Sequence, residues 1–333
     1  MMEYFPAKGF QSASNTPLFF GLAEQQKVDS VHVRWPDGIS CFYKDLPANE
    51  IHLLDYTDCK RVKFESSEGK ENIKFALSEN QINLDHKEPI LNHFNRERLL
   101  LSMVGFKGPS ISVADLNADG KDDFFIGGAK NQASVLMMSD DNGFTKQLDF
   151  QDSKASEVVA STFFDSDNDG DLDLLVSHGG KSFSIYAPEL HDVLYINNGT
   201  HRFSKAKNAF DFPRPISTGD HTIVDFNKDG FMDVVIGESY KTDLYGLPGD
   251  CLIFINNRDN SFHLNKDSSQ EKLGMITGIE AMDQDGDGWE DIVAVGQWMP
   301  VTILHNQRGE KTKIEKIENS SGLWNCIVKV DVD

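Results

Sequence analysis

A nine-residue pattern that occurs four times constrains this chain more than any other feature. Asp165-Ser166-Asp167-Asn168-Asp169-Gly170-Asp171-Leu172-Asp173 reads D-x-D-x-D-G-x-x-D. Further copies begin at Asp115, Asp225 and Asp283, and every copy keeps glycine at position 6 and oxygen-bearing side chains at positions 1, 3, 5 and 9. Those oxygens can converge on one cation. The backbone carbonyl of position 7 adds a ligand, and the glycine allows the sharp turn that wraps both halves round the ion. The candidate ligands are Asp115, Asn117, Asp119, Lys121 and Asp123 in the first loop, and Asp165, Asp167, Asp169, Asp171 and Asp173 in the second. In the third they are Asp225, Asn227, Asp229, Phe231 and Asp233, and in the fourth Asp283, Asp285, Asp287, Trp289 and Asp291. Lys121, Asp171, Phe231 and Trp289 would act through their carbonyls. Hard oxygen donors with no Cys or His in the pattern select calcium over zinc or copper, so up to four Ca2+ ions are expected. A single loop of this kind also fits an Asp/Gly-rich surface turn; four copies leave that reading little room.

The loops recur at steps of 50, 60 and 58 residues. A period in this range marks an array of supersecondary units. Each unit repeats one order of parts. Apolar residues lead in, as in Ile111-Ser112-Val113 and Thr222-Ile223-Val224. The loop follows, then a strand of the type Phe124-Phe125-Ile126 or Val234-Val235-Ile236, ended by Gly127, Gly179, Gly237 or Gly296. A second hairpin closes the unit, with Val193-Leu194-Tyr195-Ile196 and Leu252-Ile253-Phe254-Ile255 as its clearest copies. Four strands per unit at this length is the arithmetic of a β-propeller blade. The expected fold is therefore all-β, a partial propeller over residues 108–333 with units at 108–155, 156–215, 216–272 and 273–320 and a truncated fifth from 321. An EF-hand is excluded, because position 12 holds Ile126, Val176, Ile236 and Ala294 where an EF-hand needs a bidentate Glu. Insertions at 181–191 and 238–250 fall between the second and third strands of successive units, which makes that face the candidate binding surface. The end of the chain repeats the lead-in and reaches Asp331 and Asp333, positions 1 and 3 of a fifth loop. On that reading the chain is a piece of a longer protein, whose remaining blades would be its neighbours.

Residues 1–65 carry no such loop and read as a small β module, followed by a connecting segment at 66–107. Strands are expected at 28–35, 39–43 and 50–56, with a turn at Pro36-Asp37-Gly38. Trp35 reads as a hairpin anchor more readily than as a ligand-stacking platform. Cys41 and Cys59, which two short strands would separate, are either a pair or two single buried thiols. His86 and His93 lack a third partner at metal-ligand spacing. The formal net charge of −21 disfavours nucleic-acid backbones and anionic membrane surfaces as partners. No apolar run reaches the length of a membrane span, and the opening residues lack the basic flank and apolar core of a secretory signal.

The loops with their strands resemble the FG-GAP/VCBS repeats of integrin α-subunit propellers and of many secreted bacterial proteins. The N-terminal module resembles the ASPIC/UnbV domain, through Gly9-Phe10-Gln11-Ser12, Phe20-Gly21-Leu22, Val28-Asp29-Ser30 and Val33-Arg34-Trp35-Pro36-Asp37-Gly38. Ala23 stands where that family usually has glycine. The segments Gln297-Trp298-Met299-Pro300 and Gly322-Leu323-Trp324-Asn325 look like large bacterial proteins that combine both parts. The resemblance implies an extracellular, cell-surface or periplasmic protein and brings no catalytic residue set. The expected function is a non-enzymatic calcium-binding scaffold for recognition or adhesion, with a protein or glycan ligand. The alternatives are a propeller-based carbohydrate-active enzyme, for which His178 and His191 are the residues to inspect, and a biosynthetic accessory protein.

Overall fold

The computed structural model describes residues 7–9, 12–13, 17–23, 25–35, 39–59, 82, 84–89, 91–95, 97–98, 100, 108–141, 143–199, 202–242 and 244–330. The turn at Pro36-Asp37-Gly38, Phe10-Gln11, and Asp331 and Asp333 lie outside them. The chain divides into two compact units, one up to Ser78 and one over Glu79–Val330. No α-helix occurs among the described residues.

In the first unit β1 (Ala7–Gly9) pairs with β2 (Ser12–Ala13), and β3 (Lys27–Arg34) forms an antiparallel hairpin with β4 (Ser40–Pro47). The third strand expected at 50–56 does not form. Asp55 instead caps a 3-10 turn at Tyr56–Asp58, its side chain accepting the Thr57 N–H at 2.8 Å. A local side-chain bond of this kind competes with a strand ladder. Cys41 and Cys59 form a disulfide. The Trp35 indole N–H points at Cys59 Sγ at 3.1 Å, and its ring meets the Tyr56 ring edge-on at 5.4 Å. Trp35 therefore ties the Arg34–Ser40 end of the hairpin to the disulfide.

The second unit contains four antiparallel blades. Blade 1 is β5 (Ile111–Ala114), β6 (Asp123–Ile126), β7 (Ser134–Asp140) and β8 (Gly143–Phe150). Blade 2 is β9 (Val158–Phe164), β10 (Asp173–His178), β11 (Val193–Asn197) and β12 (Phe203–Lys205). Blade 3 is β13 (Thr218–Val224), β14 (Asp233–Glu238), β15 (Gly249–Asn256) and β16 (Phe262–Leu264). Blade 4 is β17 (Gln270–Met282), β18 (Asp291–Met299), β19 (Thr302–Asn306) and β20 (Thr312–Lys316), and the short β21 (Gly322–Leu323) pairs with β18. The start of β17 pairs with β15 and its remainder with β18, so blades 3 and 4 share a strand, which a boundary at 272/273 does not anticipate.

The core lies between successive blades, because alternate residues of each strand point to opposite faces. Leu174 and Val176 pack with Phe125, Leu136 and Phe150 of blade 1, while Leu175 between them packs with Val234, Ile236 and Phe254 of blade 3. Val235 in turn meets Ile276, Ile279 and Ile292 of blade 4. Blade spacing also explains the repeated glycines. Gly237 and Gly296 do not end their strands; they lie inside β14 and β18. A Cβ at Gly237 would stand 2.5 Å from Cγ2 of Ile276, and one at Gly127 would stand 2.6 Å from Cγ1 of Val158 in blade 2. The missing side chain lets the next blade close in. Gly237→Ala is expected to lower unfolding free energy by about 1–2 kcal/mol through overpacking, measurable by denaturant titration. Wild-type stability in the variant would show that the blade interface yields at this point.

Candidate metal centres

Each D-x-D-x-D-G-x-x-D loop joins the first strand of a blade to the second. Consecutive antiparallel strands put these loops at one end of the blades and the 181–191 and 238–250 insertions at the other. Local hydrogen bonds shape the first three loops alike. In the second, Asp165 accepts the N–H groups of Asp169 and Gly170 at 3.2 and 3.0 Å, Asp167 accepts Asp169 N–H at 3.2 Å, and Asp169 accepts Asp171 N–H at 2.9 Å. Asp225, Asn227 and Asp229 repeat the set at 2.9–3.0 Å, as do Asp115, Asn117 and Asp119. The fourth loop departs at one point: Asp283 accepts the N–H groups of Gly286 and Gly288, both at 2.9 Å, while Asp285 accepts Asp287 N–H and Asp287 accepts Trp289 N–H as in the others. Gly120, Gly170, Gly230 and Gly288 all have φ between 82° and 94°. No atom lies within 4 Å of a Cβ built on the first three. Backbone conformation, not space, requires glycine there.

The position-9 aspartate does more than the ligand pattern foresees. Asp123, Asp173 and Asp233 are fully buried. Asp233 accepts Phe226 N–H at 3.0 Å with one oxygen and Asn256 N–H at 2.8 Å with the other. Asp123 is held in the same way by Leu116 and Ser139, and Asp173 by Ser166 and Asn197. The residue thus fastens the loop to the end of the third strand. Burial pushes the Asp173 carboxyl up to about 6 and that of Asp233 up to about 7. Burial also raises Asp167, with the Asp169 charge adding to it. Burial acts upward on Asp229 too, but the Phe231 N–H and the Arg258 guanidinium, 3.0 Å away, hold it below the usual carboxylate range.

Two loops bring acidic oxygens together. One oxygen each from Asp165, Asp167 and Asp173 lie within 4.8 Å of one another, and so do those of Asp283, Asp285 and Asp287. A third group joins Asp285 and Asp291 to His305, a residue the loop pattern does not contain. The acids of the first and third loops form no such group among the described residues; their position 3 is an amide, Asn117 or Asn227. The two all-carboxylate sets suit a hard divalent cation, since they offer oxygen donors on a tight turn and no thiolate.

Sequence reasoning also missed a set of side chains that link the loops between blades. Asn256 ends the third strand of blade 3, and its Nδ2 donates to the Ser166 carbonyl of the blade 2 loop at 2.7 Å. Asn306 does the same from blade 4 to the Phe226 carbonyl of blade 3 at 2.9 Å. The signal was present as the Asn that recurs at the end of each third strand from blade 2 onward.

At the opposite end the insertions form a charged and aromatic surface. Buried Lys181 pairs with Glu97 and lies over the rings of Tyr240 and Tyr245 at 4.8 and 5.1 Å. Arg214 bridges Glu238 and Asp250 at 2.6–2.7 Å. Tyr186 and Trp298 are well exposed, and Trp298 stands on a left-handed backbone at φ 58° with its indole donating to Tyr245 Oη at 3.3 Å. His178 is sealed, with Nδ1 on the His191 carbonyl at 2.7 Å, and burial holds its pKa at about 4. Ser177, Asp192 and His221 come together nearby, but all three are buried, and the Ser177 hydroxyl donates straight to Asp192 at 2.9 Å. The geometry is that of a tie between blades 2 and 3, in which no serine faces solvent as a nucleophile.

Comparisons with known proteins agree with the repeat and the N-terminal module. A family model described as ASPIC and UnbV matches residues 1–61, and one described as FG-GAP-like repeat matches residues 115–176, which run from the first position of loop 1 through the second strand of blade 2. No curated protein matches the sequence at a significant level. Among solved structures the chain is similar to one titled "Crystal structure of BBS1N in complex with ARL6DN, soaked with lead", at 14% identity and a TM-score of 0.38 over 63% of this chain and 55% of that one. The chain thus spans about half the length of that solved chain. Residues 1–61 thus match the ASPIC/UnbV family and residues 115–176 the FG-GAP-like repeat, in agreement with the all-β array of four-stranded blades.

Proposed function

We propose that the blade array is a non-enzymatic scaffold stabilised by calcium, which presents its insertion-bearing end to an extracellular protein or glycan. The observation that carries the reading is the convergence of Asp165, Asp167 and Asp173 oxygens in a loop that offers only oxygen ligands. The Cys41–Cys59 disulfide supports an oxidising compartment such as the cell exterior, the cell surface or the periplasm. No described helix is long and apolar enough to cross a membrane. An enzyme would need convergent exposed acid–base groups; His178 lies buried against its own insertion, which favours the scaffold.

Calcium sites of extracellular modules have dissociation constants of about 10⁻⁴–10⁻³ M. At tenfold excess over such a constant each independent site adds about 1.4 kcal/mol. The unfolding midpoint is therefore expected to rise in millimolar calcium relative to chelator, and Asp165→Ala is expected to remove one site's share of the rise. Equal midpoints with calcium and with chelator would end the calcium reading.

A further inference from the structure

The fourth loop differs from the others in one residue able to bind metal. The residue before the one whose N–H the position-9 aspartate accepts is Met138, Ile196 and Ile255 in blades 1 to 3, and His305 in blade 4. An imidazole with 16% side-chain exposure thus replaces an apolar side chain beside the loop. Its Nδ1 lies 3.3 Å from Asp291 Oδ2 and 3.9 Å from Asp285 Oδ2. A tetrahedral shell with ligands about 2.0–2.1 Å from a zinc ion holds them roughly 3.3 Å apart, so modest movement brings the three onto one ion. A cleft of about 400 Å³ lined by Asp285, Asp287 and His305 opens the site to solvent.

The other ring nitrogen carries the argument. His305 Nε2 stands 2.7 Å from Glu315 Oε2 on the adjacent strand β20. A carboxylate accepts there, so Nε2 bears a proton, and Nδ1 points toward the two aspartates, with Asp291 Oδ2 in hydrogen-bond range at 3.3 Å. The space between Nδ1 and the two carboxylates can hold either the second ring proton or a metal ion. A carboxylate holding the far nitrogen of an imidazole is the usual second layer of a histidine–metal site, because it fixes the tautomer and raises the basicity of the ligating nitrogen. Imidazole nitrogen suits zinc and its first-row neighbours, whereas calcium takes oxygen.

We propose that the blade 4 loop binds a zinc-class divalent ion through His305 Nδ1, Asp285 and Asp291, with Glu315 as the positioning residue. The proposal rests on reading the loops as cation sites and adds the ion class for this one. The test uses the full, tag-free chain stripped with chelator and then held in millimolar calcium. Zinc alone is titrated by calorimetry, and cobalt(II) alone by its visible absorption. Wild type is expected to bind one equivalent and to show the cobalt spectrum of a low-coordinate nitrogen-bearing site. Glu315→Gln is expected to weaken binding about tenfold or more, and His305→Ile, the residue of blades 2 and 3, to abolish it while leaving the calcium-induced rise in midpoint intact. That retained rise shows that the variant is folded. Zinc binding equal in wild type and His305→Ile, or no zinc binding by wild type, would overturn the proposal and leave His305 as an ion-paired imidazolium. Zinc binding that depends on His305 in a chain whose midpoint ignores calcium would instead retain this proposal and remove the calcium reading.

Discussion

Asp233→Ala is expected to lose about 3–5 kcal/mol of unfolding free energy in chelator, where no ion can contribute. Asp233 is fully buried, and its two oxygens accept the N–H groups of Phe226 and Asn256. Removing the carboxylate strands both donors, at about 1–3 kcal/mol each, and leaves a small void. Asp233→Asn should fall between the two, since its single amide oxygen can serve one donor. Asp225→Ala provides the contrast. Asp225 sits on the partly exposed loop and accepts Asp229 and Gly230 N–H groups, which water can reach. Its loss should cost little in chelator and appear chiefly as a smaller calcium-induced rise. Denaturant titration of the three variants with and without calcium separates the roles. An Asp233→Ala protein within about 1 kcal/mol of wild type in chelator would reduce position 9 to an ion ligand and nothing more.

That double duty shows where the sequence could be read and where it could not. The loops were legible because oxygen residues and one glycine recur at fixed offsets, and the strands round them because apolar pairs flank every loop. Position 9 looked like one more ligand, since an aspartate that binds an ion and one that holds two backbone amides have the same letter. The Asn256 and Asn306 links were visible only as repeated letters, because their acceptors are 90 and 80 residues earlier in the chain. His305 was hidden in the same way: it belongs to the third strand, where alternation marks a core position, and only folding brings it beside Asp285 and Asp291. At 50–56 the apolar spacing of a strand was present, yet Asp55 bonding to Thr57 turned the chain first. The shared strand β17 escaped a blade-by-blade reading because its extra length pairs with the preceding blade.

The tie between blades 2 and 3 gives the second large expectation, a dependence on pH. His221 is buried, with Nδ1 2.9 Å from Ser177 Oγ and Nε2 2.8 Å from Thr162 Oγ1, and burial lowers its pKa to about 4. An unfolded histidine titrates near 6.5. Between those values the unfolded chain binds the proton and the folded chain does not, so the histidine's contribution is fully present above about pH 6.5 and is lost as pH falls toward 4. One pKa unit corresponds to about 1.4 kcal/mol, which makes the loss roughly 3 kcal/mol by pH 4. Neighbouring Asp192 works in the opposite direction, since burial raises its carboxyl to about 7 and the folded chain takes up that proton first. His178, also held at about 4, adds to the acid sensitivity. Comparison with His221→Gln cancels both, because the variant retains Asp192 and His178. The stability difference, wild type minus variant, is therefore expected to fall by about 2–3 kcal/mol between pH 7 and pH 4.5, read by denaturant titration at each pH in calcium. A difference that stays constant would mean that His221 accepts a proton in place, with Ser177 Oγ receiving one N–H group and Thr162 Oγ1 the other, and that the blade interface tolerates the charge.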